Sequence, residues 1–408
     1  MYLLAIHIPI YVEGPRRFVA FDWQRDLLLT RDWLGKAFGG LTLLAPSLPL
    51  AAADAAVMQL APIGLDDGIR VVPSFDLRCR AREFWRKQRH QWTGDVAREL
   101  RAATVMQAAM TNIYRPLAYL AHREGVRAGV PTVFLGPDMD VHARFGGTLK
   151  GRIYCFIYDR IMRRAGRSAD LMLLKEGLVY DRYNDSCRNA RAFCHTMYSA
   201  ADVVDAARLE QRLDTLPERR LRAVYAGRFM ARKGVREAIT AIAEAKRRGT
   251  PVEYHLFGGG PEEEALRRQA RELGVDDLVV FHGYVDYGHE FIARLAEYDL
   301  LLFTPTEEDT PRMLYDAMAA GLPLVGSRIP FLVHRVETDG IGLLTDDCGG
   351  SAAADLLIRL DHDRAGLSAL SRVARSAGQR HSIEAWYRRR ADWTAEAVDR
   401  HAQRAVGQ

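Results

Sequence analysis

Cysteine is scarce in this 408-residue chain, with five residues at 79, 155, 187, 194 and 348. The number is odd and no paired spacing stands out, which argues against a disulfide scaffold and for a reducing compartment. Cys187, Cys194 and His195 lie close in sequence, but their spacing fits no common zinc pattern, so no metal is expected. Long apolar runs are also missing. No stretch of about twenty apolar residues is free of charge or proline, so no segment reads as a membrane-spanning helix. The most apolar region, LTLLAPSLPLAAADAAV, is interrupted by Pro46, Pro49 and Asp54. The opening MYLLAIHIPIYV lacks a basic lead-in and a small-residue cleavage site, so it reads as a first buried strand rather than a signal peptide. Short repeats and low-complexity segments are absent. What remains is a cytoplasmic globular protein, with peripheral contact at the inner face of a membrane left open.

The chain exceeds what one hydrophobic core usually supports, so two domains are expected. Charge divides them. Residues 1–200 hold 28 Lys and Arg against 19 Asp and Glu, whereas the remainder is mildly acidic. A basic front half suits an acidic acceptor or an anionic membrane surface, and equally a solvated arginine-rich surface. RCRAREFWRKQRHQW (78–92) concentrates this basicity among aromatics. No other nucleic-acid motif accompanies it, so an amphipathic helix is expected there, and no nucleic-acid partner.

The rear half alternates short apolar runs with helical patterns: LRAVYAG, VEYHLFGGG, VVFHGYV, DLLLFTP and LPLVGS are strands, with helices between. Such alternation gives a parallel sheet covered on both faces, whose ligands bind beyond the carboxyl ends of its strands. In the front half LLAIHIPI, LTLLAP, IRVVPS, GVPTVFLGP and ADLMLL are strand candidates. DVARELRAATVMQAAMTNIYRPLAYLAHREGVRAG is helical in period. The expected class is therefore α/β. The divisions are 1–205 and 221–385 as two doubly wound domains, 206–220 as a polar linker, and 386–408 as a terminal helix with Trp386 and Trp393 on its apolar side.

Three motifs follow strands of the rear half. GRFMARKG (227–234) places Arg228 and Lys233 in one loop, a planar fork and a point charge that together can clamp a diphosphate; a solvated basic loop is the plain alternative. FGGGPEEE (257–264) lets the backbone at Gly258 and Gly259 approach a ligand, with a helix start behind it, or it is simply a tight turn. In TEEDTPRMLYDAMAAG, Thr310 can cap a helix whose first residue is Pro311. Glu308 then projects from the loop, and Asp316 stands about one and a half turns into the helix. A carboxylate on so apolar a helix needs a polar partner.

With these motifs in this order, GR-x4-KG, the glycine turn before PEEE, FHGYV, and E-x7-acid closing in AMAAGLPLV, the rear half resembles the donor-binding domain of retaining GT-B glycosyltransferases of family 4. The resemblance covers about 220–345, and SIEAW fits the start of the family's terminal helix. It implies a GT-B fold: two Rossmann-like domains facing a central cleft, with the C-terminal helix crossing back to the first. It also implies transfer of a sugar from a nucleoside-diphosphate donor to an acceptor hydroxyl, with retention, without a metal and without a cofactor. By position, Arg228 and Lys233 would contact the diphosphate, Glu308 the sugar, and the backbone of Asp309, Thr310 and Pro311 sugar and phosphate. Tyr284 would lie near the base. Asp316 stands where the family usually has a glutamate on the ribose, one methylene longer.

The front half departs further from the pattern. Gly14 is the candidate for the glycine-rich first loop, and Asp138 or His142 for a histidine after a central strand, either able to orient an acceptor hydroxyl. The acceptor, whether glycan, lipid-linked or small molecule, is not legible, nor are the sugar, the base or the oligomeric state. Two rivals remain at this level. One is a nucleotide-sugar-binding pseudoenzyme; the other is an inverting transferase using Asp138 or His142 as base.

Overall fold

The computed structural model describes all residues except 54–58, 111, 138–140, 195, 348 and 407–408, and the side chains of 22, 143 and 144. The chain forms two compact units: Met1–Cys194 joined by Tyr387–Gln408, and His195–Trp386.

The first unit is built on a sheet of ten strands among the described residues: β1 Tyr2–Ala5, β2 Ile10–Glu13, β3 Arg16–Ala20, β4 Leu41–Pro49, β5 Leu60–Pro62, β6 Ile69–Asp76, β7 Val105–Ala109, β8 Thr132–Leu135, β9 Leu171–Lys175 and β10 Ala190–Phe193. Their order is β10-β9-β8-β7-β1-β4-β2-β3-β5, with β6 also on β4. The pairs from β10 to β4 are parallel, and only β2–β3 and β3–β5 run antiparallel. Leu3, Ala5, Met106 and Phe134 from the central strands enter one core with Trp92 and Tyr158 from the covering helices. Trp92 buries its indole there and donates its Nε1–H to the Leu117 carbonyl at 3.0 Å, so the large ring enters the core without an orphaned donor.

Two expectations change in this unit. The long helical stretch at 95–129 is broken: helices Arg89–Leu100 and Leu117–Arg127 flank the strand β7. TVMQAAM misleads because a strand covered on both faces has no alternation, so its apolar run also satisfies a helix. The loop YVEGPRR is a β2–β3 hairpin turning at Gly14, whose φ is +54°, the left-handed region that glycine enters at least cost. The basic aromatic stretch is helical from Ala81 onward, as expected, with one wider turn at Phe84–Gln88.

The second unit carries β11 Arg222–Ala226, β12 Glu253–Phe257, β13 Val279–Gly283, β14 Leu300–Phe303, β15 Leu324–Ser327 and β16 Gly342–Thr345. All its pairs are parallel, in the order β13-β12-β11-β14-β15-β16. Leu300, Leu301 and Leu302 are fully buried, as a central strand covered on both faces requires.

Residues 206–220 are not an open connector. Ala206–Asp214 is a helix that buries Leu209 and Leu213 in the second unit. Its Arg212, itself buried, donates to the carbonyls of Ala296, Ala320 and Gly321 at 2.7–3.1 Å. Burial pushes that guanidinium down to about 10, and the three carbonyls accept from its two terminal nitrogens where water cannot. A polar reading of this stretch missed the apolar side because arginine counts as charge even when its head is buried among carbonyls.

The terminal helix spans Ile383–Val406, and Ser382 Oγ accepts from the Ala385 N–H at 3.3 Å at its start. From Tyr387 onward it belongs to the first unit. There Arg390 reaches Gln107 at 3.3 Å, and His401 and Arg404 both hold Asp170.

Candidate functional site

In the second sheet the strand order reverses between β11 and β14. Chain leaving those two strands turns to opposite sides, and a crevice opens beyond their carboxyl ends. A cavity of about 820 Å³ occupies it, within the size range of small-molecule and cofactor sites.

Its lining comes from loops far apart in sequence. Arg228 and Lys233 follow β11, Gly258 and Gly259 follow β12, Tyr284 and Tyr287 follow β13, and Pro311, Arg312 and Asp316 belong to the segment after β14. Seven of the residues singled out in the sequence therefore meet in one place: Arg228, Lys233, Gly258, Gly259, Tyr284, Pro311 and Asp316.

Close backbone approach builds the walls. Gly258 has φ +118°, and its N–H donates to the Gly283 carbonyl at 2.7 Å. A β-carbon there would overlap the Gly227 carbonyl oxygen. The glycines thus bring the β11, β12 and β13 loops to van der Waals distance and leave the cavity rim as bare backbone.

The acidic residues have distinct surroundings. Asp316 is buried and accepts a hydrogen bond from the Tyr287 hydroxyl at 2.9 Å. Burial pushes its carboxyl up to about 7, while the Tyr287 hydrogen bond and the Arg312 charge oppose that rise. The polar partner that an acid on this helix needs is therefore Tyr287, a residue the sequence reading did not single out. No local pattern reveals it, since the two are 29 positions apart.

Asp309 is drawn to the basic loop: its carboxylate contacts Lys233 Nζ and lies 3.4 Å from Arg232. Glu308 turns the other way and accepts from the Phe331 N–H at 3.2 Å, at the first turn of helix Pro330–Asp339. Glu308, Asp309 and Thr310 do not line the cavity.

The expected Thr310 cap is not formed. Helix Arg312–Ala319 begins one residue later than expected, and extended Pro311 (ψ 125°) precedes it without a side-chain cap. The Thr310 N–H instead donates to Asp309 Oδ1 at 3.0 Å. Asp309, fixed by Lys233, dictates this turn in place of the threonine hydroxyl.

Glu263, from the acidic PEEE run, also lines the cavity, and Arg267 holds its carboxylate at 2.9 Å. Its place after the glycines was visible in sequence, but its direction was not.

The remaining candidates belong to the first unit. Gly14 is the exposed hairpin turn and accepts from Arg17 at 2.6 Å. His142, in the short helix Val141–Phe145, pairs with Asp159 at 2.9 Å, and Asp159 also accepts from the Tyr183 hydroxyl at 2.7 Å. Asp138 lies outside the described residues. Cys194 donates to Glu176 and Cys187 to the Tyr183 carbonyl, and His195 is outside the described residues.

Solved structures match this chain along nearly its whole length. HepE from Anabaena in complex with UDP aligns with a TM-score of 0.64 and 15% identity, covering 97% of this chain and 100% of that one. WaaG, a glycosyltransferase involved in lipopolysaccharide biosynthesis, aligns with a TM-score of 0.55 and 14% identity, covering 96% and 99%. The fold is GT-B.

Within that GT-B chain, residues 209–380 match the family model described as glycosyl transferases group 1. The match covers most of the second unit and contains the whole cavity lining. Among curated relatives, alpha-D-kanosaminyltransferase of Streptomyces kanamyceticus is 28% identical over 246 residues, 58% of this chain and 62% of its own length. A GDP-mannose-dependent alpha-(1-6)-phosphatidylinositol monomannoside mannosyltransferase of Mycobacterium tuberculosis is 31% identical over 194 residues, 45% of this chain and 48% of its own. The alignments thus span between about half and two thirds of these relatives.

Proposed function

We propose that this protein is a glycosyltransferase that moves a sugar from a nucleoside-diphosphate sugar to an acceptor hydroxyl, with retention of configuration and without a metal. The observation that carries this reading is the convergence of Arg228, Lys233 and the start of helix Arg312–Ala319 on one cavity at the strand-order reversal. The group 1 match across that unit and the sugar-transferring relatives support it.

In this reading the bond from the anomeric carbon to the diphosphate breaks as the bond to the acceptor oxygen forms on the same face. The acceptor's proton passes to the departing diphosphate. Charge builds on that diphosphate, and Arg228, Lys233 and the helix-start amides stabilise it. Asp316, held by Tyr287, faces the ribose hydroxyls, Tyr284 lies at the base, and Glu308 reaches the sugar only by giving up the Phe331 amide and turning to the cavity. Glu308 need not act as a nucleophile, so the carboxylate pair of retaining hydrolases is not required.

One relative is named GDP-mannose-dependent and one solved neighbour holds UDP, so the base is read by experiment. A thermal-shift panel of nucleoside diphosphates and their sugars identifies the ligand that stabilises most. That donor then gives a product whose anomeric configuration is determined by NMR. Arg228→Ala is expected to lower kcat by roughly 10²–10³-fold, the usual cost of removing one preorganised charge-stabilising donor. Transfer with inversion, abolition of transfer by EDTA, or an Arg228→Ala enzyme at near-normal kcat would each contradict the corresponding part of the reading.

A further inference from the structure

The first unit presents a surface that sugar transfer does not account for. Helix Leu149–Ser168 buries Cys155, Tyr158, Met162 and Ala165 on one side. The opposite side is apolar along its first half: Leu149 is 76% exposed, Ile153 54%, Phe156 67% and Ile157 40%. Positions 149, 153, 156 and 157 share one helical face, so these side chains form one band rather than scattered exposures. Packing within the monomer explains the buried side of this helix but not this one.

The second half of the same face is cationic. Arg160, Arg163, Arg164 and Arg167 are all exposed, and they border a groove of about 290 Å³ with Phe156 and Asp159. Lys150 and Arg152, also exposed, flank the apolar band. Across the helix six basic residues stand against one acid, Asp159, and that carboxylate is held by His142 and Tyr183.

Aromatic rings extend the band beyond the helix. Tyr154 lies 5.0 Å from Phe145 and 5.7 Å from Tyr114, ring centre to ring centre. Tyr114 is exposed, and its carbonyl accepts from the Trp85 indole at 3.1 Å. Arg89 lies over the Trp85 ring. Trp85 itself belongs to the basic aromatic helix, the stretch whose charge the sequence reading left without a partner.

We propose that this face docks the first unit on an anionic lipid surface. Leu149, Ile153, Phe156 and Ile157 enter the headgroup–acyl boundary, the tyrosine and tryptophan rings sit at the polar level, and the arginines contact lipid phosphates. The charge distribution favours this occupant. A second copy meeting this face would bring the same excess of arginine and no acidic row to pair with it. A nucleic acid would meet the arginines but leave the aliphatic band in water.

Flotation of the full chain with vesicles tests the proposal. Binding to phosphatidylcholine–phosphatidylglycerol vesicles is expected to be at least about tenfold stronger than to phosphatidylcholine alone, and lost in ~1 M salt, where screening falls to about 3 Å. The triple variant Ile153→Ser, Phe156→Ser, Ile157→Ser alters exposed positions only. It is expected to melt like the parent and to bind the anionic vesicles at least about tenfold more weakly. Arg160→Gln, Arg163→Gln, Arg164→Gln and Arg167→Gln together should remove the preference for anionic lipid. The proposal is overturned if the parent does not float with anionic vesicles at low salt, or if the serine variant floats as well as the parent. It is also overturned if the parent self-associates without lipid and the serine variant abolishes that association. Each readout is independent of transfer activity.

Discussion

Asp316 and Asp309 show how one residue type acquires two electrical characters within one loop and helix. Asp316 is desolvated, with only the Tyr287 hydroxyl and the Arg312 charge to offset that cost. Its folded-state pKa of about 7 lies above the ordinary 3.8. Between those values the native chain keeps a proton that the unfolded chain releases, so the group's contribution to stability declines as pH rises from about 4 to 7 and is level beyond. Asp316→Asn is expected to lose that decline. The check is the Tm difference between parent and variant across pH 4–8; parallel profiles would refute the buried-acid assignment. Asp309 instead occupies the ammonium that a diphosphate would use. With that pair removed, Lys233, whose side chain is only 15% exposed, is left largely desolvated and uncompensated, a state that costs more than an exposed charge. Asp309→Asn should therefore tighten binding of a nucleoside diphosphate by about three- to tenfold in calorimetry. Unchanged or weaker binding would mean that Asp309 positions Lys233 rather than competing with the ligand.

At the scale of elements, the turn after β11 carries the site, and Gly234 holds that turn. Its φ is +71°, and a β-carbon would overlap the Thr304 carbonyl at the end of β14. The Thr304 hydroxyl also donates to the Gly234 carbonyl at 2.7 Å. Gly234→Ala must therefore strain the backbone and separate the two loops that flank the crevice. A loss of about 2 kcal/mol in urea unfolding is expected, with weakened diphosphate binding; a neutral substitution would show that the two loops are not locked together. This scale also shows which elements a sequence conceals. The strands β11 to β15 were legible because each apolar run ends in glycine or proline. β7 was not, because a two-sided buried strand lacks alternation. The 206–214 helix was not, because its one polar core contact is an arginine reaching carbonyls more than eighty positions away.

At the scale of the molecule, one cavity gathers loops from four strands, so its ligand must order them together. Hydrogen exchange in the presence of the stabilising nucleoside diphosphate should slow in 226–234, 257–263, 283–287 and 309–316 alike. Protection confined to a single segment would deny that these loops share a ligand.

Local chemistry in the sequence was sufficient to specify the parallel sheet of the second unit, the cationic loop and the glycine turns, because glycine, proline and apolar periodicity act over a few residues. It was not sufficient to say where carboxylates point. Glu308 bonds the Phe331 amide, Asp309 meets Lys233 and Asp316 meets Tyr287, all partners more than twenty positions away. Only the strand order brings them within reach. Hydrogen bonds and charge pairs depend on distances of a few ångströms that the chain sets only when it closes on itself.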